Sequence, residues 1–341
     1  MPLETLVTGR IATFAGGTGY GWVEAVGIRD GRIAFAGTAV QLETRADPFT
    51  VRIELEPGEI AIPALTDAHL HVTGAALAAE QVDLTSAMTL DEGLARITEA
   101  AARIAAPAWI LGGGWDQRRW GAWPTTEALE RAAPGRLVAL RAFDHHALWA
   151  SRAALAEAGI TGESSDPAGG VISRDAAGEP TGALLENAGA LVIDRVPPTD
   201  TETAKRALRA FGRELLALGV VGAHDPAALA PDPANRALDA YTALAEDGEL
   251  PVRIRACVRA DGLEDAIGRG LRSGSKLGSA DPKMLSFGWL KLFADGTLGS
   301  RTAALLDPIE GGTDRGMFTT PPDRLAELAS RAAGAGIATM I

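Results

Sequence analysis

The sequence predicts an α/β protein built on a parallel (β/α)8 TIM-like barrel, with about five barrel strands present in its 341 residues. Three observations predict it. From residue 199 onward, apolar strand patterns alternate with amphipathic helical ones. Polar groups gather at the C-terminal ends of those strands, where barrel sites lie. The stretch Ala61–His71 runs apolar until Asp67 and closes on two histidines, as a buried parallel strand opening into a site would.

A chain of 35.3 kDa with 47% hydrophobic and 22% charged residues has room for one barrel or two domains. Its net charge of −12 and pI near 5.0 argue against nucleic acid or an anionic membrane surface, since phosphates would be repelled. The charges are dispersed, as on a solvated acidic surface. One cysteine, Cys257, excludes an intrachain disulfide and fits a reducing compartment. Its apolar surroundings mark it as a buried strand residue. The N-terminal residues show no signal-peptide pattern, and no apolar run is long enough to span a bilayer. A cytoplasmic protein is expected.

Residues 3–60 read as strands and hairpins, with a tight turn at Asp30-Gly31 between alternating arms. Val51–Gly58 alternates apolar and acidic residues like a half-exposed strand. These strands are too few for a closed barrel; residues 1–60 are expected to form half of a small β-sandwich domain. After His71, Thr89-Leu-Asp-Glu92 reads as a capping box opening a helix to about Ala105. A short strand from Trp109 breaks into a glycine loop holding Trp115 and Trp120. The next strand, Arg136–Phe143, ends in Asp144-His145-His146, and a helix from Ser151 stops at Gly159. A hairpin crosses Asp175–Gly178. Thr199-Asp-Thr-Glu202 caps a helix that runs to Gly219, and the strand 220–225 follows. A helix at 234–249, the strand 252–258, a helix near 263–272, the strand 288–296, a helix at 323–333 and a last strand at 336–341 complete the series.

The candidate chemistry lies at strand ends. On an extended strand, residues i and i+2 share a face, so His69 and His71 would point together and could grip one metal ion. His224 ends the strand 220–225, and His145 and His146 end another. Lys291 lies inside an apolar strand, where an unpaired ammonium is costly. It is either a lysine whose head snorkels to solvent or a functional lysine near a metal.

Together these residues resemble the metal-dependent amidohydrolase superfamily, in the branch called amidohydrolase family 3, which includes N-substituted formamide deformylase-like proteins. The resemblance spans essentially the whole chain. It rests on Pro63–His71, Gly112-Gly-Gly-Trp-Asp116, Asp144-His145-His146 running into Leu148-Trp-Ala-Ser151, Gly222-Ala-His-Asp225 and Lys291–Thr302. Ala64 departs from the glycine usual after the proline, which alters the turn and removes no ligand.

The resemblance implies that residues 61–341 are an incomplete barrel, with 75–200 an insertion covering the pocket. His69, His71 and Lys291 would bind one or two divalent metal ions, zinc foremost, with iron, manganese or nickel open. Lys291 would be carboxylated, so that a carbamate bridges the metals. The metal would lower the pKa of water, and the hydroxide would attack the carbonyl of a non-peptide amide, breaking its C–N bond. Trp115, Trp120 and His146 would shape the substrate pocket; for the tryptophans, packing within the insertion is an equal alternative. His224 would bind substrate or support the site, with a satisfied structural histidine equally open. Asp295 and Arg301 would form a bracing ion pair. Further histidines and the general-base aspartate are expected beyond residue 341, so the chain reads as a fragment whose missing C-terminal segment completes the fold. The expected partner is a small-molecule substrate, and a homodimer is compatible with the sequence. An esterase or lactonase on the same scaffold, or a non-catalytic small-molecule-binding regulator, are the competing readings.

Overall fold

The structure is a computed structural model that describes residues 3–15, 19–229, 236–296, 303–308, 313 and 315–341. The chain divides into two compact units: residues 1–66 with 219–221, and residues 67–218 with 222–341.

In the first unit, β1 (Thr5–Ala12), β2 (Trp22–Arg29), β3 (Arg32–Gly37) and β4 (Val51–Glu54) form a sheet of order β3-β2-β1-β4, with α1 (Ala39–Glu43) before β4. β1 and β3 lie antiparallel to β2, and β4 lies parallel to β1. Asp30 (φ 53°) and Gly31 (φ 64°) give the β2–β3 turn two left-handed residues in succession, as a tight hairpin requires. Leu3, Leu6, Ala25 and Leu42 form its small core. Helix α1 interrupts a region expected to be all strand. Its signal was present in Thr38-Ala-Val-Gln41, which forms a full capping box. β4, expected to be half-exposed, is exposed along its length.

The second unit starts at Asp67, the last residue of β5 (Leu65–Asp67). Its first whole element is α2 (Val72–Ala79), then β6 (Val82–Asp83), α3 (Leu90–Arg103), β7 (Ile110–Trp115), α4 (Gln117–Trp120), α5 (Thr126–Ala132), β8 (Val138–Ala142) and β9 (Ala147–Ala150). After α6 (Arg152–Glu157) come β10 (Gly170–Arg174), β11 (Pro180–Glu186) and α7 (Ala190–Ile193). β6 to β11 make a mixed sheet of order β10-β11-β9-β8-β7-β6, parallel across β6, β7 and β8 and antiparallel beyond. Both faces are covered. Val138 and Leu140 pack with Ile97, Leu129, Trp115 and Trp149, while Ala139 packs with Leu148, Leu155 and Leu184.

The glycines expected in a loop lie within β7. A Cβ on Gly112 would meet the Val82 carbonyl oxygen at 2.2 Å, and Gly114 combines φ 94° with close approach to Thr85. Only glycine lets β6 and β7 draw this near. In α3, Thr89 caps Glu92 N–H as expected, but the Glu92 carboxylate reaches back to Met88 N–H, one residue beyond the box.

The remaining elements are α8 (Thr201–Ala217), β12 (Val220–Asp225), α9 (Ala237–Glu246), β13 (Arg253–Arg259), α10 (Leu263–Gly268), β14 (Leu285–Lys291), α11 (Pro322–Gly334) and β15 (Thr339–Met340). Their sheet has the order β15-β14-β13-β12-β5. Pairing is parallel from β12 to β15. Leu65 N–H donates to the Gly219 carbonyl and Leu70 N–H to that of His224, so β5 runs the same way as β12. The alternation of strands and helices is the predicted α/β architecture. The sheet is open, with β5 and β15 at its edges, and amounts to about half of an eight-stranded barrel. Among the described residues, no helix is long and apolar enough to cross a membrane.

Candidate functional site at the strand ends

Parallel strands place their C-terminal ends along one edge of a sheet, and side chains there converge. β5 stops at Asp67, whose carboxylate accepts a 2.8 Å hydrogen bond from His69 N–H and bends the chain. His69 and His71 therefore lie beyond the strand, and His71 is the N-cap of α2. This corrects the expectation that strand alternation pairs them. A turn does so instead, and brings the two exposed rings to 5.6 Å between centroids at an interplanar angle of 67°.

His224, on β12, is half-buried with its ring centroid 4.9 Å from that of Trp289. Burial, followed by the positive charge of Arg255, holds this imidazole below its usual pKa, against an opposing pull from Asp67. Among the described residues its buried Nδ1 has no hydrogen-bond partner. Lys291, the last residue of β14, is only 8% exposed, and its Nζ lies 4.9 Å from the centre of the Phe293 ring. Among the described residues no carboxylate pairs with it. Arg259 is its register partner on β13, and that guanidinium lies 5.8 Å from the same ring. The motif that begins at Lys291 continues into 297–302, outside the described residues, as does Arg301. Asp295 accepts instead from Ala304 N–H at 2.8 Å.

These groups fit a divalent metal in part. Paired imidazoles, a buried amine with no acid partner and an orphaned imidazole nitrogen are donor chemistry that such ions accept. They do not complete a coordination sphere: no group of three His, Cys, Asp or Glu able to hold a metal occurs among the described residues.

The mixed sheet separates the other candidates. Trp115 is fully buried, donates its indole N–H to the Leu140 carbonyl at 2.8 Å, and packs edge-on against Trp123 and Trp149. It offers a substrate no exposed surface, and packing is the role its position gives it. Trp120 is half-buried, with its N–H on the Ala87 carbonyl. His146 is exposed, and its Nδ1 lies 3.0 and 3.1 Å from the two carboxylate oxygens of Glu186. The hydrogen bond and charge of Glu186, with a smaller contribution from Asp144, raise the His146 pKa above the ordinary imidazole value. Glu186 went unrecognised in the sequence. Its signal was its place at the end of the hairpin strand returning beside His146. Both His145 (φ 64°) and Glu186 (φ 49°) adopt left-handed backbone, which is strained for side chains of their kind.

The profile of the amidohydrolase family matches residues 57–341, and the chain belongs to that family. Among its relatives is YtcJ of Bacillus subtilis, provisionally named an amidohydrolase, which is 32% identical over 290 residues, covering 84% of this chain and 53% of YtcJ. The N-substituted formamide deformylase of Arthrobacter pascens is 29% identical over 336 residues, covering 92% of this chain and 58% of the deformylase. The chain thus spans about half the length of the curated relatives it matches. Crystal structures of metal-dependent hydrolases from Pyrococcus horikoshii OT3 and Pyrococcus furiosus share its fold, with TM-scores of 0.73 and 0.74 at 23% and 24% identity. The likeness covers 98% of this chain in both cases, and 64% and 66% of those structures.

Proposed function

We propose that this chain carries part of the active site of a metal-dependent hydrolase that cleaves C–N bonds of non-peptide amides. The observation that most supports this reading is family membership across residues 57–341. His69, His71 and Lys291 would hold the metal, zinc foremost, with Lys291 as a carbamate if two ions bind. The metal would supply acidification of water and polarisation of the scissile carbonyl. Each residue has its own task. Asp67 fixes the bend that presents His69, through the hydrogen bond to its backbone N–H. The neutral imidazole of His224, backed by Trp289, offers a face for an apolar part of a substrate. His146, with Nδ1 held by Glu186, presents Nε2 to a substrate oxygen. The open sheet and partial donor set support a further segment that closes the barrel and brings the remaining ligands and a carboxylate base.

The test uses the full-length gene product, analysed for metal and assayed on N-substituted formamides, neutral amides, aryl esters and lactones. We expect about one or two equivalents of zinc-like metal, amide hydrolysis lost on chelation, and at least a roughly tenfold loss of metal affinity in His69→Ala. Faster turnover of esters or lactones would establish the esterase reading. A metal-free protein that binds small molecules without hydrolysing them would establish a regulator. Unchanged metal content in Lys291→Ala would refute the bridging role of that residue.

A further inference from the structure

Helix α2 begins without the side chain that ordinarily caps a helix. Ser, Thr, Asp or Asn at the N-cap usually offers an oxygen to the N–H of the second or third helical residue. Here the N-cap is His71, and its imidazole makes no capping bond. The second helical N–H, that of Thr73, donates instead to the hydroxyl of Tyr241 at 3.1 Å, from 168 residues away in sequence. Tyr241 donates its one proton to Oδ2 of Asp225 at 2.7 Å. The Thr73 hydroxyl, 2.9 Å from the tyrosine oxygen, must therefore donate to it. Oδ1 of Asp225 accepts from Ala227 N–H at 3.0 Å. Tyr241 is 0% exposed, Asp225 2% and Thr73 9%.

Packing alone does not call for this arrangement, since a phenylalanine at 241 would fill the same space without a polar group to desolvate. A buried carboxylate held by a phenol is expensive and adds little net stability. What it does is fix backbone. His69 N–H is held by Asp67, Leu70 N–H by the His224 carbonyl, and Thr73 N–H by Tyr241. Three amides around His71 are pinned from outside, while its imidazole stays free of the capping duty its position would impose.

We propose that Tyr241 and Asp225 are positioning residues for His71, capping α2 from α9 and β12 so that the side chain at the cap is available to a metal. The proposal rests on the metal-binding reading above. Its test is titration of the metal-stripped full-length protein with Co(II) alone, followed by the visible absorption of the bound ion. Tyr241→Phe removes the cap and keeps the ring. Thr73→Val removes a buried hydrogen bond of the same cluster and keeps the capping N–H. Tyr241→Phe should weaken Co(II) binding roughly tenfold or more and alter the absorption band, as loss of an orienting partner does in other metal sites. Thr73→Val should bind like the parent. Should Tyr241→Phe fail to fold, Asp225→Asn, which loosens the hold on the tyrosine, replaces it with a smaller expected loss in the same direction. Unchanged affinity and spectrum in the Tyr241 or Asp225 variant would overturn the positioning role alone, as would equal losses in Thr73→Val. Absence of Co(II) binding in the parent protein would overturn the metal reading and the positioning role with it.

Discussion

At the scale of single residues, Glu186 joins two features with opposite effects on stability. Its backbone stands at φ 49° and ψ −127°, a region that side chains other than glycine rarely enter. Its carboxylate meanwhile holds Nδ1 of His146 at 3.0 Å and raises that imidazole's pKa. A histidine whose folded pKa exceeds the unfolded value of 6.5 binds its proton more tightly in the native state. The resulting stabilisation is fully present below pH about 6.5 and is lost as pH rises through the raised folded value. Glu186→Gln keeps the strain and removes the charge, whereas Glu186→Gly removes both. In urea denaturation at alkaline pH, Glu186→Gln should match the parent and Glu186→Gly should exceed it by about 1 kcal/mol. At mildly acidic pH, Glu186→Gln should fall below the parent, and NMR titration of His146 should show its pKa lowered in both variants. Equal stability of the two variants at alkaline pH would mean that no strain is relieved.

At the scale of elements, what could be read in the sequence was what is local. Caps, turns and periodicity located α3, the β2–β3 hairpin, α6, β12 and β13. By contrast, β14 runs from Leu285 to Lys291 instead of the expected 288–296, so that Lys291 closes the strand and does not lie inside it. β15 is confined to Thr339–Met340 within the expected 336–341. The cap of α8 proved to be Asp200, one residue after the expected Thr199. The glycines of β7 were misread as a loop because the strand approach that demands them joins residues about thirty apart. The pairing of His69 with His71 was legible from spacing, although a turn produces it. Glu186 and Tyr241 were not, because their partners lie 40 and 168 residues away. Ser151 shows how a local signal can carry a distant load. Its hydroxyl caps α6 through Ala154 N–H, accepts from Val138 N–H at 3.1 Å and donates to the Arg136 carbonyl at 2.7 Å. One buried oxygen thus fixes both a helix start and the entry to β8. Ser151→Ala should cost about 2–3 kcal/mol by chemical denaturation, above the ~1 kcal/mol of an ordinary cap, because several buried groups lose their partner. A cost near that of an ordinary cap would show that water or local relaxation replaces those bonds.

At the scale of the whole molecule, two forces on association oppose each other. Among the described residues the sheet ends at β5 and β15, and edge strands of this kind template pairing with other chains. Large apolar side chains stand exposed on the surface, among them Leu65 at 51% and Phe293 at 47%. A net charge of −12 acts the other way and keeps copies apart. Salt screens that repulsion and leaves apolar burial intact, since the Debye length falls from about 10 Å at 0.1 M to about 3 Å at 1 M. The 341-residue chain alone should therefore self-associate more as salt is raised, and should bind a hydrophobic dye. Light scattering coupled to gel filtration reads the first effect and dye fluorescence the second. A stable, folded 35.3 kDa monomer that stays monomeric across the salt range would show that these edges and side chains are already satisfied within the chain.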